Sequence, residues 1–127
     1  MAFKMSVQKS SGKISEVVIG TGEKAIKLGG ENVLPFYSFD GDTGNVQKVG
    51  VEINDIYPES WIDCYKEMYK DVANDPALWA KYVQDNTEAD FVCLRFVGAD
   101  PNADDKSPEE CAEVAKKVAD AIDLPVV

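Results

Sequence analysis

Between residues 46 and 127 the pattern of apolar positions switches repeatedly between a period of two and a period near 3.6. In V-Q-K-V-G-V-E-I-N-D, Val49, Val51 and Ile53 alternate with Gly50, Glu52 and Asn54, which puts the three aliphatics on one face of a strand. Asp55 ends that strand, and Ile56-Tyr57-Pro58 forms the loop after it. A helix starting at Glu59 or Ser60 then carries Trp61, Ile62, Tyr65, Met68, Tyr69 and Val72 as one apolar stripe, which reads as core packing rather than a cofactor wall. Asn74-Asp75-Pro76 restarts the helix with a cap and a proline at its first position, and Leu78, Trp79, Tyr82 and Val83 form the next apolar face. Residues 90–97 form a second strand. Ser107-Pro108-Glu109-Glu110 is a capping box that opens a helix with Cys111, Val114, Ala115, Val118 and Ile122 facing inward. Residues 124–127 begin a third strand.

Strands alternating with helices predict a parallel sheet, because parallel neighbours need a long crossover and a helix is the usual one. The fold class expected is α/β, the N-terminal part of a (β/α)8 TIM barrel: an N-terminal β-hairpin cap, two βα units and the start of a third strand. A closed barrel needs roughly 200 to 250 residues, so a chain of 127 reads as the first part of a larger fold. In a barrel Val49, Val51 and Ile53 pack under the helices while Gly50, Glu52 and Asn54 face inward. An interior carboxylate is costly unless paired. Arg95, alternating with Leu94 and Phe96, offers Glu52 a partner on the neighbouring strand; the other reading, Arg95 turned out between helices, stays open because one sequence does not fix the register.

The region before this unit is different in kind. Residues 1–13 are polar and rich in Ser, Gly and Lys, the pattern of a mobile terminus. Residues 14–19 and 24–28 flank Gly20-Thr21-Gly22-Glu23 and read as a hairpin. Its G-T-G turn opens no helix, so it lacks the geometry of a phosphate cradle. An extended aromatic segment, L-P-F-Y-S-F-D-G at residues 34–41, follows, and Pro35 keeps it out of a strand or helix interior. The chain divides into a flexible N-terminus at 1–13, the hairpin cap and aromatic segment at 14–45, and the barrel portion at 46–127.

Charge and composition narrow the chemistry. With 13 Lys and Arg against 23 Asp and Glu, the net charge is −10, which repels nucleic acid and anionic membrane surfaces. No spanning run or signal peptide is visible, so the expected location is the cytoplasm. Cys64, Cys93 and Cys111 form no C-x-x-C pair and read as small buried hydrophobes, so no metal site is assigned. The absence of histidine removes the commonest general base and metal ligand, and no catalytic residue is assigned. The candidate binding residues are Asn54, Asp55, Asp100 and Asn102, which fall at strand C-termini, the edge where parallel α/β folds build sites. Glu52 and Arg95 are assigned a structural role.

Several stretches taken in order are similar to one family. They are E-V-V-I-G-T-G, L-G-G-E-N-V-L-P-F-Y-S-F-D-G, V-G-V-E-I-N-D, N-D-P-A-L-W-A-K, V-G-A-D-P-N and S-P-E-E-C-A-E-V-A-K-K-V, covering about residues 13–127. Together they resemble the N-terminal portion of the corrinoid iron-sulfur protein small subunit, the delta subunit of the acetyl-CoA decarbonylase/synthase complex. The resemblance implies a (β/α)8 barrel and a non-catalytic role in the reductive acetyl-CoA (Wood-Ljungdahl) pathway of anaerobic carbon fixation. There the subunit helps to house and shield a corrinoid (cobalamin) that carries a methyl group from methyltetrahydrofolate, through a methyltransferase, to acetyl-CoA synthase. The implied partners are a large subunit that holds a [4Fe-4S] cluster, with the corrinoid at the heterodimer interface, the methyltransferase, and acetyl-CoA synthase/CO dehydrogenase. The alternative is a pterin-binding methyltransferase on a related barrel, in which Asn54, Asp55, Asp100 and Asn102 hydrogen-bond the pterin.

Overall fold

A computed structural model describes residues 11–33 and 42–127; the first ten residues and the L-P-F-Y-S-F-D-G segment lie outside the described residues. The strict alternation in V-G-V-E-I-N becomes strand β3 (Gly50–Asn54), which pairs in parallel with β4 (Phe91–Arg95) in the register Gly50 to Phe91 through Asn54 to Arg95. This register puts Gly50, Glu52, Asn54, Phe91, Cys93 and Arg95 on one face and Val51, Ile53, Val92 and Leu94 on the other. Gly50 has a steric reason: a Cβ there would strike the Phe91 ring beside it. Along the other edge of β4, the Val92 and Leu94 N–H groups donate to the Pro125 and Val127 carbonyls at 2.9 and 2.8 Å, and Val126 forms a parallel bridge with Val92.

Helices cover the aliphatic face. Helix α1 (Asp63–Tyr69), α2 (Pro76–Asn86) and α3 (Pro108–Ala121) follow in order. Ile53, Trp79, Ala80, Val83, Val92, Leu94, Val118 and Ile122 form the buried core, with α2 packed on α3 and β3. Both well-capped helices start where local chemistry requires. Asp75 accepts hydrogen bonds from the Ala77 and Leu78 amides with Pro76 behind it, and Ser107 and Glu110 close the reciprocal capping box at 3.3 and 2.8 Å. The Glu110 carboxyl is held below its usual range, first by the Ser107 backbone N–H and then by the Ser107 hydroxyl.

Helix α1 departs from its pattern. Instead of starting at Glu59 or Ser60, the chain turns at Pro58 to Trp61, whose amide donates to the Pro58 carbonyl, and Ile62 is an extended N-cap without a side-chain cap. The break lets Trp61 leave the helix line and pack edge-on against Trp79 at 5.4 Å and Tyr69 at 6.1 Å. Only part of the expected core stripe is covered: Trp61, Tyr69 and Val72 reach the core, whereas Ile62, Tyr65 and Met68 are exposed. Leu78 on α2 and Val49 before β3 are exposed as well. The cysteines also correct the expectation of burial. Cys64 lies on the outer side of α1, and Cys93 and Cys111 are only half-buried; Cys93 points to the sheet face that no helix among the described residues covers.

Strands β1 (Val17–Ile19) and β2 (Ile26–Leu28) form an antiparallel hairpin closed by a short 3-10 turn at Gly22–Lys24. It rests on the N-terminal side of the parallel unit, where Lys24 Nζ donates to the Ile122 carbonyl at 3.1 Å and meets Asp123 at 3.2 Å. Asn45 ties the segment before β3 to the hairpin through Glu16 and the Gly29 carbonyl. No helix among the described residues is long and apolar enough to cross a membrane.

Candidate functional site

The site sits where β3 and β4 end. Past the last strand residues the chain forms two loops, 55–62 after β3 and 98–106 after β4. Between the first loop and the strand ends lies a cleft of about 370 Å³ lined by Asn54, Ile56, Tyr57, Pro58, Trp61, Arg95 and Val97, with Glu59 and Ser60 at its rim. The aliphatic and ring surfaces of Ile56, Tyr57, Pro58, Trp61 and Val97 form its walls, a composition usual for a ligand site. Next to it, Trp61 also borders a wider depression of about 530 Å³ with Ile62, Tyr65, Met68 and Tyr69, so the apolar surface continues from the strand ends along α1.

The four candidate residues separate into three environments. Asn54 lines the cleft, is 8% exposed, and its Oδ1 has no hydrogen-bond partner among the described residues. Asp55 is the next residue, and strand alternation turns it the opposite way. Its side chain is fully buried, with Oδ1 accepting from the Gly98 N–H at 3.0 Å and Oδ2 from Lys106 Nζ at 3.0 Å. Both oxygens are therefore occupied in holding the second loop to β3. Gly98 is required by that joint, since a Cβ there would sit 2.7 Å from Asp55 Oδ2 and 2.9 Å from Lys106 Cε. Asp100 and Asn102 do not reach the cleft. They lie exposed in the 98–106 loop, where Asp100 Oδ1 accepts from the Asn102 amide at 2.8 Å and its side-chain Nδ2 at 3.0 Å. The Asp100 carbonyl also takes the Ala103 and Asp105 amides, while Asp105 adopts φ 49°.

Glu52 and Arg95 meet at 3.5 Å, with side chains 55% and 64% exposed. Arg95 points from the open sheet face toward the cleft and pairs in register with Asn54. The structure thus brings Asn54 and Arg95 together, makes Asp55 a positioning residue, and leaves Asp100 and Asn102 apart. Lys106, Gly98, Tyr57 and Trp61 were not singled out for the site from the sequence. Gly98 after a strand was the only local sign; Lys106 reaches Asp55 across 51 positions, which no local pattern encodes. No group of His, Cys, Asp and Glu suited to a metal ion occurs among the described residues.

Comparison with known proteins fits this architecture into a family. A family model of the CO dehydrogenase/acetyl-CoA synthase delta subunit matches residues 16–127. The chain is 31% identical over 132 residues to the acetyl-CoA decarbonylase/synthase complex subunit delta of Archaeoglobus fulgidus, covering 98% of this chain and 29% of that protein. The subunit of the same name from Methanothermobacter thermautotrophicus is 30% identical over 126 residues, covering 98% of this chain and 32% of that protein. That of Methanocaldococcus jannaschii is 32% identical over 127 residues, covering 95% and 31%. The chain spans about a third of the length of these relatives. With the match running from the first hairpin strand to the end of the chain, this protein belongs to the CO dehydrogenase/acetyl-CoA synthase delta subunit family.

Proposed function

We propose that the chain is part of a subunit that houses and shields a corrinoid at the interface with a large, iron-sulfur-bearing subunit, in a complex that moves a methyl group between methyltetrahydrofolate and acetyl-CoA synthase. The observation that carries this reading is the continuous apolar surface from the strand-end cleft along α1, formed by Tyr57, Trp61, Ile62, Tyr65 and Met68. A surface of this kind excludes water from a bulky planar group and offers a partner something to dock on, while the chemistry stays with the cofactor. When bound, the corrinoid would supply the methyl-accepting metal centre. Its fit to the residues present is peripheral: Asn54 places a side-chain amide on the cleft, Arg95 offers a donor, and the rings of Tyr57 and Trp61 an apolar wall. The 370 Å³ cleft admits a side chain of so large a ring rather than the ring itself.

The same reading takes β3, α1, α2, β4, α3 and the strand beginning at Val126 as the first βα units of a (β/α)8 barrel. Parallel pairing with α2 and α3 packed on one face supports it, and Glu52 and Arg95 would then lie toward the interior. The cytoplasmic location follows from the same assignment. The test is an ultraviolet-visible spectrum of the full-length protein purified anaerobically with its endogenous partners. Corrinoid bands that shift on reduction are expected. A complex without corrinoid that binds methyltetrahydrofolate would favour the pterin-binding methyltransferase instead, for which the amide of Asn54 at a strand end is the supporting feature.

A further inference from the structure

The end of β3 places the Asn54 amide so that only its donor is open to a ligand. Asn54 is 8% exposed and its Oδ1 is closed to solvent, which leaves Nδ2 as the atom that faces the cleft at the strand ends. That N–H group has no acceptor among the described residues. Beside it on the neighbouring strand stands Arg95, paired in register with Asn54 and also lining the cleft. Arg95 spends one contact on Glu52, at 3.5 Å and with both side chains more than half exposed, the geometry of a pair that contributes little. A guanidinium has several N–H groups and no acceptor, so the strand ends present two donors side by side.

Around these donors the cleft is apolar. Ile56, Tyr57, Pro58, Trp61 and Val97 line a space of about 370 Å³, within the range of small-ligand sites. An occupant therefore needs acceptor oxygens at one end and an apolar body at the other. Water hydrogen-bonds such donors before binding, so an occupant has to replace both bonds. A carboxylate does so with its two oxygens, and its charge makes each bond about twice as strong as a neutral one. A phosphate fits less well, because it brings a second charge to a cleft with one cation and with Glu52 and Glu59 nearby. Against a single charge those two acidic groups weigh little, since both are exposed and act through water and salt.

We propose that this cleft binds a small monocarboxylate with an aromatic or aliphatic body: the carboxylate bridges Asn54 Nδ2 and the Arg95 guanidinium, and the body lies against Tyr57, Trp61 and Val97. The assignment goes beyond the corrinoid reading and does not depend on it, since both donors and the walls belong to this chain.

The test titrates the full-length protein by calorimetry with 3-phenylpropionate, with its neutral amide and with the corresponding phosphonate. The acid is expected to bind about tenfold more tightly than either, the size of one charge-assisted hydrogen bond. Arg95→Gln, at an exposed position, is expected to weaken the acid about tenfold and to make acid and amide equal. Glu52→Gln, also exposed, releases Arg95 and is expected to tighten the acid about threefold while leaving the amide unchanged. Asn54→Leu is expected to weaken the acid about fivefold, as for one lost neutral donor. Equal binding of acid and amide overturns the site, as does acid binding that Arg95→Gln or folded Asn54→Leu leaves undiminished. So does the absence of saturable acid binding at millimolar concentration, and tighter binding of the phosphonate overturns the preference for a single charge. Each of these results leaves the corrinoid reading standing, and a complex without corrinoid bands leaves the carboxylate titration unaffected.

Discussion

On the face of β3 and β4 turned toward α2 and α3, Val51, Ile53, Val92 and Leu94 pack into a core that includes Trp79, Val83 and Val118. On the opposite face Glu52 and Arg95 are exposed, Cys93 is half-buried, and Asn54 keeps an oxygen without a partner among the described residues. The two faces share one backbone and one register, so the difference between them comes from side chains alone. The contrast teaches that core packing and solvent exposure are separated by the strand's period of two. At the strand end, Asp55 continues the covered side and secures a loop, while Asn54 continues the open side at the edge of the cleft.

Damage to the covered face is expected to have the largest effect. Trp79 is 1% exposed and is the largest fully buried side chain, so Trp79→Ala should cost about 4 kcal/mol in urea-induced unfolding. Asp55→Ala should follow at about 3 kcal/mol, because it leaves Lys106 in a mostly buried position without its partner. It should also raise amide exchange in residues 98–106, the loop that this pair holds. On the open face, Glu52→Gln should shift stability by only about 0.5 kcal/mol, as befits an exposed pair at 3.5 Å. A loss as large as that of Asp55→Ala would erase the contrast between the faces.

A smaller effect should appear with pH at the entrance to the two strands. Asp90 is held below its ordinary value by the hydrogen bond from Lys48 and by the Val49 backbone N–H. A carboxyl with a lowered folded value contributes stability that is full above its unfolded value, near 4. That contribution is lost as pH falls through the lower folded value. Acid titration of Asp90→Asn should therefore show a shallower loss of stability below about pH 4 than the unsubstituted protein, with no difference at neutral pH beyond the lost pairing.

The caps at Asp75 and Ser107 were legible in the sequence because each involves residues only two or three positions apart. The alternation of β3 was legible for the same reason. The fate of α1 was not. A stripe at helical spacing says which residues share a face but not what lies opposite, so Ile62, Tyr65 and Met68 were expected inside and are exposed. Nor did the sequence separate the four candidate residues, which all fall at strand ends but differ in their long-range partners.

The sequence by itself determined the local elements: two caps, the alternation of the strands, the apolar face of α3 and the absence of any imidazole. The tertiary structure alone decided the parallel register that sets Asn54 beside Arg95, and the Lys106 contact that takes Asp55 out of the site. It also decided the turn at Trp61 that opens the cleft. The reason is range. Capping and periodicity are fixed by neighbours a turn or less away, whereas register and burial depend on groups some 40 to 50 positions distant whose meeting only the folded chain brings about.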